Sequence, residues 1–273
     1  MSSSVHRFVL PTGTKEEIED GSERRFLFEH DLYSERLIRR SRKKLLVLDV
    51  NGLLAHTVFE TNTVSLPANR RADGVVGRKL VFKRPFCDDF VRFCFEKFEV
   101  GIWSSARKNN VEGVVLFLLG DLRYKLLFCW DQSECTDTGM RTLDKSNKPL
   151  FLKELHRLWN SEGLPWPKDY YSSTNTLLID DSPYKALRNP PFTAVFPEAY
   201  DVNNDHDSSL GPGGDIRNYL QGIANAPDVQ QYVQARPFGQ PLISQADPNW
   251  WFYSQIGRHC HHQTMVYGGN YRL

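Results

Sequence analysis

Several features that would define a special class of protein are absent from this 273-residue sequence. Its five cysteines are odd in number and form no C-x-x-C pair, so neither a disulfide framework nor a zinc ribbon is indicated. With 34 Lys and Arg against 33 Asp and Glu, the net charge of +1 gives no global attraction for nucleic acid or anionic membranes. The longest apolar run, Val114–Leu119, is far shorter than the ~18 residues of a membrane span. We expect reduced thiols, no membrane insertion, no nucleic-acid partner and an intracellular location, nucleus or cytoplasm.

The composition is that of a folded protein, with 40% hydrophobic and 25% charged residues. Three short apolar runs are typical of strands buried on both faces of a parallel sheet: Leu45–Leu48, Phe98–Trp103 and Thr176–Ile179. Apolar residues three and four apart predict helices after Pro85, over Val111–Leu118 and over Leu152–Trp159. This alternation predicts an α/β fold with a doubly wound parallel sheet.

Two stretches do not follow this alternation of strands and helices. Residues 54–84 and 120–147 contain short β-like pieces between turn residues, and we interpret them as small β-rich insertions over one edge of the sheet. We therefore predict a polar, basic N-terminal extension over residues 1–44, an α/β domain over 45–200, and a C-terminal extension over 201–273 that packs on or beside the core.

Polar side chains follow each predicted strand: Asp49 the first, Ser104 the second, and Asp181 the third. Because the carboxyl ends of neighbouring parallel strands meet at one crevice, these side chains should converge. With a lysine from the helix before the third strand, the set suits phosphoryl transfer: a carboxylate nucleophile, a hydroxyl and a cation around one phosphate. The hard oxygen ligands favour magnesium as cofactor.

Four separated motifs occur in one order: LVLDVNGLLAHT, FKRPFCDDFVRFCFEKFEVGIWSSA, KELHRLW and LLIDDSPYKALRNP. Together they resemble the haloacid dehalogenase superfamily, in the branch that includes RNA polymerase II C-terminal-domain phosphatases and their small relatives. The resemblance covers residues 45–200, and its K-R-P-F-x-D-x-F segment is similar to the K-R-P-G-x-D-x-F of that branch. It implies a magnesium-dependent phosphatase that acts on phosphoserine or phosphothreonine in a protein segment.

Carried onto this sequence, the resemblance implies a role for each matching residue. Asp49 would be the nucleophile that forms an aspartyl-phosphate, and also a metal ligand. The backbone carbonyl of Asn51 and the carboxylate of Asp181 would complete the protein's metal ligands. The Ser104 hydroxyl would bond a phosphoryl oxygen, and Lys153 would neutralise nucleophile and phosphate.

Three of these assignments leave alternatives open. Ser105 is adjacent to Ser104, so the register of that motif is not fixed by one sequence. Lys148 is a less favoured occupant of the position given to Lys153. Asp180 would support the metal-binding edge from beside the metal, or would only hold its loop together.

The first motif departs from the family pattern. D-x-D-x-T is here Asp49-Val50-Asn51-Gly52-Leu53, so the second carboxylate and the threonine are both missing. That carboxylate normally exchanges a proton with the leaving group and water, which an amide cannot do. We expect a weakened phosphatase or, alternatively, an inactive pseudophosphatase that serves as a phosphoprotein-binding scaffold. His56 is a candidate substitute proton donor, although packing against the first insertion is the favoured interpretation.

Three clusters lie outside these motifs. The basic run over residues 36–44 would be a nuclear-localisation or acidic-partner patch, but a solvated surface is the favoured interpretation. His259–His262 is favoured as a polar tail, since four contiguous residues cannot easily surround one tetrahedral ion. Trp250–Tyr253 would be a binding platform or, as we favour, an anchor of the C-terminal tail on the core. The sequence indicates no oligomeric state.

Overall fold

The computed structural model describes residues 43–61, 66–67, 70–160, 164–204 and 206–258. The predicted N-terminal extension, apart from residues 43 and 44, and the His259–His262 cluster lie outside the described residues. Within the described ranges the four cysteines are free thiols, and no helix is long and apolar enough to cross a membrane.

The strands, in chain order, are β1 (Leu45–Leu48), β2 (Ala55–Phe59), β3 (Gly74–Val76), β4 (Lys79–Lys83), β5 (Glu99–Trp103), β6 (Phe128–Trp130), β7 (Thr136–Arg141), β8 (Pro149–Leu152), β9 (Thr176–Ile179) and β10 (Ala194–Val195). The helices are α1 (Cys87–Lys97), α2 (Lys108–Leu119), α3 (His156–Asn160), α4 (Asp215–Asn225), α5 (Val229–Ala235) and α6 (Trp250–Arg258).

A five-stranded parallel sheet in the order β10-β9-β1-β5-β6 forms the centre of the fold. Strand β1 is central because all four of its residues are apolar and buried, so both of its faces can be covered. Its neighbours are β5 and β9, with Leu48 opposite Ile102 and Ile179. The predicted α/β fold with a parallel sheet is confirmed.

Alternate residues of β1 enter two different apolar cores, as the period of two in a strand requires. Leu46 and Leu48 pack in the core that includes residues of α1, α2 and α4. Leu45 and Val47 pack on the opposite face with Leu158 of α3. Since α4 and α5 share the larger core, these parts of the chain after residue 200 pack in the same body as the sheet, and the division of the chain at residue 200 stays a prediction.

The first insertion folds as predicted into a small antiparallel sheet, in the order β2-β4-β3. The prediction for residues 120–147 is wrong in one part, because Phe128–Trp130 joins the main sheet as β6. Gly101 of β5 makes this pairing possible: a Cβ there would lie 2.2 Å from the Phe128 ring. A three-residue strand carries too short a pattern to reveal such a partner.

The helix predicted over Leu152–Trp159 is also wrong at its start. Residues 149–152 form β8, which pairs antiparallel with β7, and the helix begins only at His156. The cause is a tertiary contact, since Leu150 and Leu152 are buried against Phe252 and Ile256 of α6. This contact also agrees with the anchoring role of the aromatic cluster, although Trp251 is exposed.

A buried ion pair joins the K-R-P-F segment to the C-terminal region. Arg84 Nη2 lies 2.8 Å and Nε 3.1 Å from Asp207 Oδ2, and both side chains are almost fully buried. Arg84 Nη1 also donates to the Leu53 carbonyl oxygen at 3.4 Å. Through these bonds the guanidinium holds the turn after β1 and the start of α1 against the later chain.

Replacement of Asp207 by alanine tests this connection. Asp207→Ala would leave a buried guanidinium without its anion, and we expect a loss of about 3–5 kcal/mol in the free energy of unfolding. Urea denaturation followed by circular dichroism measures the loss. Lys108→Ala, which breaks an exposed pair with Glu112, is the control and should have little effect. An equally small effect of both substitutions would contradict the structural role of Arg84.

Candidate active site

The carboxyl ends of β1 and β9 bring three carboxylates together. Asp49 directly follows β1, and its amide donates to the Ile179 carbonyl oxygen at 3.0 Å, which places it level with Asp180 and Asp181 after β9. One oxygen from each of the three side chains lies within 4.8 Å of the others. The predicted partners Asp49 and Asp181 are therefore neighbours.

Asp180 lies in the middle of this cluster and is fully buried. Its Oδ2 lies 2.5 Å from Lys153 Nζ, and its Oδ1 lies 2.8 Å from Lys185 Nζ. The Ser182 amide also donates to Oδ1, at 3.0 Å. Asp180 therefore bonds directly to both ammonium groups, and its expected position beside the metal stays a prediction.

Lys153, rather than Lys148, enters the carboxylate cluster. Its Nζ lies 3.0 Å from Asp49 Oδ1, and the side chain is fully buried. The predicted helical setting is wrong, because Lys153 follows strand β8 and its amide donates to the Lys185 carbonyl oxygen at 2.8 Å. Lys148 Nζ instead lies over the Tyr184 ring, 5.7 Å from its centroid.

Lys185 is a second buried cation that the sequence reasoning missed. Its Nζ lies 2.9 Å from Asp49 Oδ2, 2.8 Å from Asp180 Oδ1 and 3.6 Å from Asp181 Oδ1. Burial by itself lowers the pKa of Lys185, but the attraction of the three carboxylates outweighs it and holds the pKa well above its ordinary value. The Lys185 side chain therefore carries its positive charge at neutral pH. The available signal was the i, i+4 spacing from Asp181 to Lys185 in D-D-S-P-Y-K.

Gly52 lets Asp181 approach the turn after β1. Its φ of 87° lies in the left-handed region, and a Cβ at this position would be 2.2 Å from Asp181 Oδ2. The Gly52 carbonyl oxygen also accepts a hydrogen bond from the Tyr200 amide at 2.7 Å. A glycine is therefore required here for backbone conformation and for space.

The two departures from the family motif lie in different surroundings. Leu53 is fully buried in the larger apolar core, where the threonine of the motif would be among hydrocarbon. Asn51 is exposed, and its Oδ1 accepts hydrogen bonds from the Thr57 amide at 2.7 Å and the Thr57 hydroxyl at 2.8 Å. The side-chain carbonyl of Asn51 is thereby held toward strand β2.

Ser104 and His56 lie on two different sheets, at the end of β5 and on β2. Ser104 is buried at the end of β5, and its Oγ accepts from the Ala106 amide at 3.3 Å. His56 lies on β2, where burial lowers its pKa and the attraction of Asp201 only partly opposes this. A largely neutral imidazole at pH 7 is disfavoured as a proton donor.

The donor set fits a hard divalent cation. Mg²⁺ takes oxygen ligands, and Asp49, Asp180 and Asp181 offer carboxylate oxygens at mutually close positions. Two ammonium groups already lie among these carboxylates, so the five charges sum to −1. A dianionic phosphate would need further positive charge, which a divalent cation supplies.

A parallel sheet whose central strand ends in a buried aspartate, with a lysine and further carboxylates beside it, is typical of haloacid dehalogenase-like phosphatases. Comparison with known families agrees, since residues 44–230 match the family model of NLI interacting factor-like phosphatases. The chain belongs to this family, and the resemblance that the motifs predicted is confirmed.

Individual relatives are distant. The chain is 27% identical over 198 residues to ubiquitin-like domain-containing CTD phosphatase 1 of Xenopus laevis, which covers 70% of this chain and 53% of the relative. An uncharacterized FCP1 homology domain-containing protein of Schizosaccharomyces pombe is 25% identical over 214 residues, or 72% of this chain and 78% of that protein. The chain thus spans about half the length of the CTD phosphatase relatives.

Among solved structures, a variant of the fission yeast RNA polymerase II CTD phosphatase Fcp1 bound to beryllium fluoride aligns with a TM-score of 0.38. The aligned sequences are 16% identical, and the alignment covers 86% of this chain and 67% of that chain.

Substitution of Gly52 tests the close approach of Asp181. Gly213 has a closely similar φ of 81° with nothing within 4 Å of an added Cβ, so Gly213→Ala should lose only the left-handed backbone strain, about 1–2 kcal/mol. Gly52→Ala should lose more, because Asp181 must also move. Urea denaturation of both variants makes the comparison, and equal losses would show that the contact between Gly52 and Asp181 imposes no constraint.

Proposed function

We propose that this chain is a magnesium-dependent phosphatase that hydrolyses phosphoserine or phosphothreonine in protein segments. The observation that carries the proposal is the buried Asp49 carboxylate, paired with Lys153 and Lys185 and adjacent to two further carboxylates. The choice of a phosphorylated protein segment rests on relatives that are named CTD phosphatases. An intracellular location, in the nucleus or the cytoplasm, stays a prediction.

In the proposed reaction an oxygen of Asp49 attacks phosphorus and forms an aspartyl-phosphate while the bond to the ester oxygen breaks. Lys153 neutralises the charge on the nucleophile and the phosphoryl group, and the Ser104 hydroxyl donates to a phosphoryl oxygen. Asp49, Asp181 and the backbone carbonyl of Asn51 would hold Mg²⁺, with Asp180 beside them. The bound ion would supply charge neutralisation for the phosphate.

Proton transfer to the leaving group is the step of the proposed reaction that this chain would catalyse poorly. The departing oxygen needs a proton when it leaves as an alkoxide, and the Asn51 amide cannot supply one. A positioned acid or base is typically worth ~10²–10⁴ in rate. We therefore propose slow turnover that is fastest for aryl phosphates, whose leaving groups need little protonation.

The second candidate is a pseudophosphatase that binds phosphorylated segments as a scaffold. The hydrogen bonds from Thr57 to Asn51 Oδ1 favour it, because they hold the amide in one orientation and leave the charge cluster without an acid or base at that position. A scaffold would bind a phosphopeptide or beryllofluoride without release of phosphate.

The first test measures phosphate released from p-nitrophenyl phosphate in Mg²⁺. The native chain should release phosphate, and Asp49→Asn should reduce the rate to background because the nucleophile is lost. The control is Asp121→Asn, at a fully exposed aspartate, which should retain the native rate. Release that persists in Asp49→Asn would exclude the proposed mechanism, and no release by either chain would favour the scaffold.

The second test restores the missing carboxylate. Asn51→Asp keeps oxygens for the two hydrogen bonds from Thr57 and should raise the rate on a phosphoserine peptide by about 10²–10⁴. The rate on p-nitrophenyl phosphate should rise less. Asn51→Ala removes the amide without adding an acid, so it is the matched control and should give no gain. If Asn51→Asp is no faster than the native chain, loss of the acid does not limit turnover.

A further inference from the structure

The Lys185 ammonium lies among the same carboxylates that the proposed metal would use. Its Nζ is within hydrogen-bonding distance of Asp49 Oδ2 and Asp180 Oδ1, and it lies 3.6 Å from Asp181 Oδ1. The same three residues, Asp49, Asp180 and Asp181, are the group of carboxylates among the described residues whose spacing could hold a metal ion. One positive group of the chain itself therefore contacts all three acidic side chains.

Mg²⁺ and this ammonium would compete for space and for charge. Mg²⁺ binds its oxygen ligands at about 2.0–2.1 Å and tolerates little distortion. An ion that used the oxygens bonded to Lys185 would overlap the ammonium or repel it strongly, because the side chains around it exclude most of the water that would screen the two charges.

Lys185, rather than Lys153, is the cation that can leave. The Lys153 side chain has no exposed surface, and its ammonium makes the shortest contact of the cluster, 2.5 Å to Asp180 Oδ2. The Lys185 side chain is 6% exposed and adjoins Asp181, the most exposed of the three carboxylates at 18%; its contact with Asp181 is the longest of its three.

We infer that Lys185 is a tethered cation that closes the metal position of the metal-free chain, so that a divalent ion binds only by displacing the Lys185 ammonium from the three carboxylates. The inference rests on the metal site of the proposed function and adds a residue that sets metal affinity. The chain would thus need a higher Mg²⁺ concentration than a chain without this lysine.

The expected loss of metal affinity depends on the fraction of the time for which the Lys185 ammonium occupies the three carboxylates. If the carboxylates are free of Lys185 for about 10% of the time or less, the apparent metal affinity falls by about tenfold or more. Removal of the ammonium should recover that factor.

Electron paramagnetic resonance of free Mn²⁺, titrated into the full chain, measures metal affinity without reference to activity. Lys185→Gln should bind Mn²⁺ at least about tenfold more tightly than the native chain. Lys148→Gln is the matched control, because it removes a nearby positive charge that contacts Tyr184 instead of the carboxylates, and it should bind like the native chain. Equal or weaker binding by Lys185→Gln, or no binding by either chain, would overturn the inference.

A second measurement uses the native chain, in case Lys185→Gln folds poorly. Acetylation of lysines by an activated ester, quantified by mass spectrometry, should become several-fold faster at Lys185 when Mn²⁺ is bound, while exposed Lys108 should not change. An unchanged rate at Lys185 with Mn²⁺ bound would overturn the inference. The Asp49→Asn assay of phosphate release is independent of both measurements, so failure of the tethered cation is distinguishable from failure of the phosphatase proposal.

Discussion

Mutual neutralisation of five clustered charges, four of them buried, is the interaction on which the rest of this structure depends. Three carboxylates and two ammonium groups meet where β1 and β9 end, and Asp49, Asp180 and Lys153 have almost no contact with solvent. Burial of any one of these charges alone would be strongly unfavourable, so each must be held where its partners are. The left-handed turn at Gly52 and the backbone bond between Lys153 and Lys185 serve this placement.

The charge cluster and the altered first motif separate two functions that relatives combine. In the proposed reaction, attack on a phosphoryl group needs positive charge and a carboxylate nucleophile, and the cluster contains two ammonium groups and the Asp49 carboxylate. Proton exchange needs a group that titrates, and Asn51 has none. Leu53 lies in the apolar core, so its replacement of the motif threonine is compatible with the packing of the fold. Under the proposed function, the chemistry would thus be altered at one step, while the chain keeps the parallel sheet and its membership of the family.

The errors of the sequence interpretation share one cause. Leu152 fits the apolar pattern of the helix predicted over Leu152–Trp159, but it lies in β8, where Leu150 and Leu152 pack against α6, about a hundred residues later in sequence. Phe128–Trp130 pairs with β5 in the main sheet, where Gly101 leaves space for the Phe128 ring. The spacing of apolar residues in a short segment carries no information about a partner far away in sequence. A strand buried on both faces, such as β1, can be predicted without knowing its partners, because its residues are all apolar.

The sequence by itself determined the family, the parallel sheet and the meeting of Asp49 with Asp181, because buried apolar strands and their terminal carboxylates are local patterns in a fixed order. The motif resemblance also favoured Lys153 over Lys148, and the structure brings Lys153 into the cluster. Only the tertiary structure showed that Lys185 enters it as well, because its position depends on where the backbone after β9 directs the side chain. A long flexible side chain can reach many positions, and long-range contacts select one of them.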